Sequence, residues 1–355
     1  MEAKDPVRIG ITVGDVNGIG MEVIMKTFMD ARMLQTCIPV VYGSVKLANY
    51  YRKLLDANEL NFQVINDAGD ANTKRPNLIN CLEEDMKIEP GSATAESGKY
   101  ALASIDAALK DVMDGKLDAI VTAPIHKQSI AELKPGFTGH TGYLAERSGA
   151  KNHLMLMVSP ICKMGLVTEH LPLSEVSQAI GVERVYNKIM ALNQSLMVDF
   201  SIRKPRIAVM ALNPHAGEGG QLGKEESEII APAIRKANDA GVVAIGPYPA
   251  DGFFGTVQWR NFDAVLSMYH DQGLIPFKSM AFDEGVNYTA GLPFVRTSPD
   301  HGTGFDIAGK NQADETSFRH AVYLACDIFR SRQQNEALRS GALRAQKQLS
   351  RAEKD

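Results

Sequence analysis

No stretch of this sequence stays apolar over the ~20 residues that a helix needs to cross a bilayer, so a membrane-spanning helix is not expected. The first ten residues are broken by Glu2, Lys4, Asp5 and Arg8 and lack the apolar run of a secretory signal. Cysteine is scarce. Cys37, Cys81, Cys162 and Cys326 lie far apart with no Cys-x-x-Cys pair, which excludes a disulfide framework and points to reduced thiols in a cytoplasmic protein. An excess of one charge is also missing: 38 Lys and Arg against 42 Asp and Glu give a net charge of -4. With no long basic block to neutralise phosphates, nucleic acid is not expected as a partner. Internal repeats and low-complexity linkers are absent as well. What remains is 355 residues at 45% hydrophobic content, enough for one large domain or two ordinary ones around a sizeable core.

Short apolar, β-branched segments recur at residues 7–13, 39–42, 62–65, 118–122, 163–168, 206–212, 242–245 and 263–268, and they read as strands buried on both faces. Helical periodicity lies between them. Leu102, Ile105, Leu109 and Val112 mark one face over residues 100–113, and Val185, Ile189, Leu192 and Leu196 mark another over 185–196. Strands alternating with helices predict an α/β fold with a mostly parallel sheet, and two interleaved α/β lobes fit the pattern. Residues 331–355 turn polar and read as a solvated terminal helix or a frayed tail.

In an open α/β sheet, ligands bind beyond the carboxyl ends of the strands. Three histidines follow expected strands there: His170, His215 and His270. Three neutral imidazoles can hold a divalent cation and leave a coordination position open, which is the pattern of a catalytic metal site. Each could equally be a hydrogen-bonded loop residue. Asp271, next to His270, and Asp251, in the loop Pro249-Ala-Asp-Gly, could orient an imidazole or act as general acid or base; either could also be a turn or capping carboxylate.

Anion-binding features are of two kinds. The turn Gly14-Asp-Val-Asn-Gly-Ile-Gly20 opens a helical pattern and could receive an anion, but such turns need glycine for geometry alone, and that reading is preferred. Thr138-Gly-His-Thr-Gly142 offers a hydroxyl and an imidazole on a flexible backbone. Lys278, Asn287 and Arg296 add donors suited to phosphate or carboxylate, provided that the fold brings them to the histidines.

These residues fall within longer motifs. They include Ile11-Thr-Val-Gly-Asp15, Thr122-Ala-Pro-Ile125, Gly139-His-Thr141, Leu212-Asn-Pro-His-Ala-Gly-Glu218, Gly246-Pro-Tyr-Pro-Ala-Asp251, Met268-Tyr-His-Asp-Gln-Gly-Leu-Ile-Pro276 and Asp300-His-Gly-Thr-Gly-Phe-Asp-Ile-Ala-Gly-Lys310. In this order, over nearly the whole chain, they resemble the 4-hydroxythreonine-4-phosphate dehydrogenase (PdxA) family. The resemblance implies an isopropylmalate dehydrogenase-like α/β fold of two lobes with the active site in the cleft between them. Residues 1–135 with 290–355 would carry the termini and cofactor loop, and residues 136–289 the metal-ligand histidines and a homodimer interface.

It further implies NAD or NADP as cofactor near Gly302, Thr303 and Asp306. One divalent ion, among zinc, magnesium, manganese and cobalt, would be held by His170, His215 and His270 across the dimer interface. Substrate would be bound by His140, Thr141, Lys278, Asn287 and Arg296, with Asp251, Asp271 and Lys278 as candidates for the catalytic proton transfer. The implied reaction is oxidation and decarboxylation of 4-phosphohydroxy-L-threonine in pyridoxal 5'-phosphate biosynthesis. Departures from the family pattern sit at Val16, Gly142, Gly252, Gly304 and Phe305, and Gly142 bears on substrate identity. The alternative within the family is a dehydrogenase of 4-phospho-D-threonate or 4-phospho-D-erythronate. A phosphate acyltransferase, of related fold, would have no need of the three histidines.

Overall fold

All eight segments expected as strands form strands in the computed structural model, which describes residues 6–352. The N-terminal charges Glu2, Lys4 and Asp5 and the last three residues lie outside the described residues. The strands are β1 (Val7–Thr12), β2 (Cys37–Gly43), β3 (Gln63–Ile65), β4 (Asn77–Asn80), β5 (Ala119–Thr122), β6 (Leu154–Val158), β7 (Lys163–Leu166), β8 (Arg206–Met210), β9 (Val243–Tyr248), β10 (Ala264–Ser267), β11 (Val286–Ala290) and β12 (Val295–Pro299). The helices are α1 (Gly20–Met29), α2 (Met33–Thr36), α3 (Val45–Leu54), α4 (Ala95–Met113), α5 (Lys127–Ala131), α6 (His140–Ser148), α7 (Leu173–Ala179), α8 (Val182–Val198), α9 (Ala231–Asp239), α10 (Ala250–Gly255), α11 (His270–Ala281) and α12 (Thr316–Ala352). Among these, α4 and α8 carry the two expected periodic faces. Val185, Ile189, Leu192 and Leu196 of α8 are fully buried, each worth roughly 1.5–3 kcal/mol of apolar transfer. No helix among the described residues is long and apolar enough to cross a membrane.

The strands join into one sheet of order β3-β4-β2-β1-β5-β12-β11-β6-β7-β10-β8-β9. Within each half the pairing is parallel, but β11 is antiparallel to both β12 and β6, and β6 is antiparallel to β7. The two halves therefore run in opposite directions, and the carboxyl ends of their strands point to opposite edges.

The core explains where a cleft can open. One face of the sheet is covered continuously: Tyr288, Val295, Val121 and Leu156 share a single cluster with side chains of α1, α8 and α12. On the opposite face the apolar material is split into two clusters, one built on Ile120, Ile105 and Leu144 and the other on Met157, Met164 and Phe277. Between them β11 and β12 present Asn287, Thr289, Arg296 and Ser298, alternate residues of adjacent strands that share a face. Helix α6, which the sequence reading placed in the second lobe, packs with the first cluster through Tyr143, Leu144 and Ala145. The strong apolar positions of α6 turn towards Leu109 and Phe294 and away from the second half.

Helix α12 continues to Ala352, so the polar C-terminal stretch is helical over its described part. Its docking uses a buried polar network. Arg332 donates from Nε to Asp199 Oδ1 at 2.7 Å, and Asp199 Oδ2 accepts from Ser195 Oγ and from the Tyr288 hydroxyl, each at 2.7 Å. Arg332 also donates to the Tyr288 hydroxyl at 3.0 Å and to the Leu292 carbonyl at 3.2 Å. This network ties the C-terminal helix to α8 and β11.

Candidate active site

A cavity of about 890 Å³ lies over the polar seam. From one edge of the sheet come the segment after β5, with Pro124 and Lys127, and the segment after β12, with Asp300, His301 and Gly302. From the other edge come His170 after β7 and His270 at the start of α11 after β10. The opposed strand directions thus let carboxyl-end loops of both halves meet over one cleft.

The floor carries the largest buried charge. Arg296 is 2% exposed and donates to Thr122 Oγ1 at 2.7 and 3.1 Å, to Asn287 Oδ1 at 3.3 Å and to Thr289 Oγ1 at 3.1 Å. All of these acceptors are neutral, and no carboxylate pairs with Arg296 among the described residues. Burial pulls its guanidinium down to about 9, which leaves it a cation at neutral pH. Beside it, His140 begins α6, and its Nε2 is buried without a partner among the described residues. Burial, with the neighbouring charges of Arg296 and Lys127, holds this imidazole well below its usual value and therefore neutral. The N-cap of α6 is Gly139 at φ 118°, a conformation L side chains rarely adopt, so glycine is needed to turn the chain here. Thr141 contacts Thr289, hydroxyl to hydroxyl, at 3.3 Å. The cluster Thr138–Gly142 is thereby joined to Asn287 and Arg296, as the oxyanion argument required.

The histidines divide into two and one. Adjacent parallel strands β7 and β10 bring the rings of His170 and His270 to 5.8 Å between centroids. Asp271 Oδ1 accepts from His270 Nδ1 at 2.7 Å, which fixes the ring and directs Nε2 as a free donor atom. His170 is held below its usual pKa first by burial and then by the charge of Lys127, whose ammonium donates to His170 Nε2 at 3.1 Å. His215 lies beyond β8, on the other side of β10, and does not line the cavity. It heads a left-handed turn in which His215, Ala216, Gly217, Glu218 and Gly219 all have positive φ, and its side chain faces outward. Such a turn costs roughly 1–2 kcal/mol per non-glycine residue. Glu226 holds it in place by accepting from the Leu212 and Asn213 backbone N–H groups at 2.9 and 2.8 Å. Among the described residues, no three His, Cys, Asp or Glu side chains of one chain converge on a metal position. His170 and His270 could supply two nitrogen donors from this cleft, and His215 is not placed to add a third to it.

The remaining candidates separate clearly. Lys278 lines the cavity and pairs with Asp300 at 3.2 Å; burial raises the Asp300 carboxyl above the ordinary range, and Lys278 works against that rise. Asp251 is exposed on α10, away from the cavity lining. Gly302 lines the cavity, whereas Thr303 and Asp306 do not. The Thr303 carbonyl accepts from Ile19 N at 2.9 Å, which docks the expected cofactor loop on the glycine-rich turn before α1. That turn is buried, and its Ile19 N–H is used by the Thr303 carbonyl. Sequence reasoning missed Thr122, Lys127, Glu169 and Asp300 as cleft residues. Lys127 could have been found by the rule that singled out the histidines, since it follows the end of β5 by five positions.

Comparison with known proteins agrees with this geometry. Residues 35–325 match the profile of the family described as pyridoxal phosphate biosynthetic protein PdxA. The chain is 48% identical over 344 residues to a 4-hydroxythreonine-4-phosphate dehydrogenase of Bacteroides thetaiotaomicron, covering 97% of this chain and 94% of that one. It is 41% identical to the same-named protein of a Sulfurihydrogenibium species, covering 92% and 99% of the two chains. The crystal structure of 4-hydroxythreonine-4-phosphate dehydrogenase from Klebsiella pneumoniae is similar at a TM-score of 0.79 and 33% identity, covering 93% of this chain and 99% of that one.

Proposed function

The chain belongs to the PdxA family, and from that premise we propose that it oxidises and decarboxylates 4-phosphohydroxy-L-threonine to 3-amino-2-oxopropyl phosphate and carbon dioxide, a step of pyridoxal 5'-phosphate biosynthesis. The observation that carries the substrate class is Arg296. A guanidinium this deeply buried, with only hydroxyl and amide partners, calls for an anionic ligand, because burying a charge without a counter-charge costs several kcal/mol. The phosphate of the substrate meets that need, and His140, Thr141 and Asn287 stand around it.

When bound, the nicotinamide cofactor, NAD or NADP, supplies the hydride acceptor, and a divalent ion supplies Lewis acidity towards the alcohol and the β-keto acid. Gly302, at the cleft end of the segment that runs on through Thr303 and Asp306, would help to hold the cofactor, a reading supported by its place in the cavity lining. His170 and His270 of one chain, with the outward-facing His215 of a second copy, would hold zinc, magnesium, manganese or cobalt, which makes the active form a homodimer in the cytoplasm. Asp271 keeps His270 in the tautomer that such binding requires.

For the proton of the substrate hydroxyl, the Lys278–Asp300 pair is the acceptor. Lys278 Nζ reaches into the cleft, and the raised pKa of Asp300 makes its carboxylate a better base than an exposed one. Asp271 is engaged with His270 and acts on its orientation, and Asp251 stands outside this cleft.

The test is formation of NADH by purified protein with 4-phosphohydroxy-L-threonine, 4-phospho-D-threonate and 4-phospho-D-erythronate, each with and without a chelator. Chelator-sensitive turnover selective for the first supports the proposal. Preference for a sugar acid moves the chain to the alternative substrate class, and absence of chelator-sensitive turnover on all three refutes the mechanism.

A further inference from the structure

The cleft contains more positive charge than its own carboxylates balance. Lys188 faces Glu169 at 3.9 Å and Lys278 faces Asp300 at 3.2 Å, which uses both carboxylates of the cavity wall. Arg296, Lys127, Lys151 and Arg184 line the same cavity, and none has a carboxylate within ion-pair distance among the described residues; only Arg296 is buried, and of the three exposed cations Lys127 is the one that reaches a cleft histidine. Arg296 and Lys127 are placed differently. Arg296 is anchored in the sheet floor by Thr122, Asn287 and Thr289. Lys127 begins α5, and its stem crosses the backbone at Gly139, where an added Cβ would stand 3.2 Å from Lys127 Cε. Its ammonium then ends 3.1 Å from His170 Nε2. It therefore sits between the start of α6, where His140 and Thr141 are, and the His170–His270 imidazole pair.

Resting on the functional reading above, we propose that Lys127 is a substrate-binding residue that holds the carboxylate of the hydroxy acid while Arg296 holds its phosphate. The two anionic groups of the substrate would meet Arg296 in the floor and Lys127 beside His170. The planar guanidinium, fixed in the floor, matches the phosphate at one end. The compact ammonium beside His170 matches the carboxylate, which must lie next to the reacting alcohol for decarboxylation to follow oxidation. Gly139 has a second role in this arrangement: without a side chain, it lets the Lys127 stem pass.

Steady-state kinetics of Lys127→Met and Lys127→Arg test the assignment. Losing a charge-assisted contact predicts a KM for 4-phosphohydroxy-L-threonine raised about 10- to 100-fold in Lys127→Met, with kcat changed far less, and substantial recovery in Lys127→Arg. Competitive inhibition by inorganic phosphate should stay as in wild type, because the phosphate position is Arg296's. An unchanged KM in Lys127→Met overturns the proposal, and so does an equal weakening of phosphate inhibition, which would place Lys127 at the phosphate end. Wild-type turnover separates the two ideas: a wild type inactive on this compound refutes the functional reading, whereas an active wild type with an unaffected variant refutes the Lys127 assignment alone.

Discussion

Replacing Asp199 with asparagine removes one charge from the network that docks α12 while keeping the shape of the side chain. The Asp199 side chain is 4% exposed and that of Arg332 is 22% exposed, so bulk water reaches the guanidinium only in part and the carboxylate hardly at all. Breaking a buried pair by neutralising one member costs about 3–5 kcal/mol. Unfolding entropy of roughly 2.1 cal/mol/K per residue gives about 0.75 kcal/mol/K for a chain of this length, so the melting temperature should fall by about 4–7 °C. Differential scanning calorimetry of wild type, Asp199→Asn and the double variant Asp199→Asn/Arg332→Met measures it. The double variant should recover part of the loss, because it no longer buries a lone cation. A fall below about 1 °C in the single variant would show that water or another group compensates Arg332, and the account of how the C-terminal helix is held would fail.

Other outcomes follow from the cleft. Arg296→Met should lower kcat/KM by about 10²-fold, roughly the worth of one strong charge-assisted contact, and Arg296→Lys should fall between it and wild type; equal activity of all three would remove the anion argument. His140 has a folded pKa below its usual value of 6.5, so its stabilising contribution is complete above that pH and declines as pH falls through 6.5 towards the folded value. In phosphate-free buffer, wild type should therefore lose more stability than His140→Gln on acidification below pH 6.5, as measured by melting temperature, and parallel curves would contradict the burial of Nε2. Mixing inactive His170→Ala and His215→Ala chains under subunit exchange should restore about a quarter of wild-type activity, since half the dimers are mixed and each holds one intact shared site. No restoration would mean that His215 does not serve a partner's cleft.

Much of the fold was legible because eight strands are built from β-branched or apolar runs, six of them largely buried on both faces, whereas β3 and β9, at the two edges of the sheet, are partly exposed where full burial was expected. The four that were not read have physical reasons. β6 is Leu-Met-Leu-Met-Val, with a single β-branched residue to mark it as a strand, and β4 is four residues that begin and end with asparagine. β11 and β12 hide behind Asn287, Thr289, Arg296 and Ser298, polar residues at positions where a buried strand would ordinarily be apolar. The strand-end rule located His170 and His270 correctly with respect to the cleft. It could not foresee the left-handed turn that takes His215 outward, since the turn depends on long-range bonds from Glu226 as well as on its glycines. The ion pairs that leave Lys127 without a carboxylate partner are likewise visible only in three dimensions.

The polar seam also bears on how such a protein can change its substrate. The side chains of β11 and β12 that face the cleft are rungs of the sheet that joins the two halves, and Arg296 binds neighbouring strands together through Thr122, Asn287 and Thr289. A mutation there alters recognition and cohesion together, so selection for a new substrate at these positions carries a stability penalty. The Thr138–Gly142 segment has no such double duty in the sheet. An added Cβ at Gly142 would stand 2.3 Å from the Thr138 hydroxyl and meet nothing else closely but the Thr138 Cβ, so a side chain there requires only that Thr138 rotate away. Divergence of specificity has its least costly route through that rim, with the floor kept as inherited.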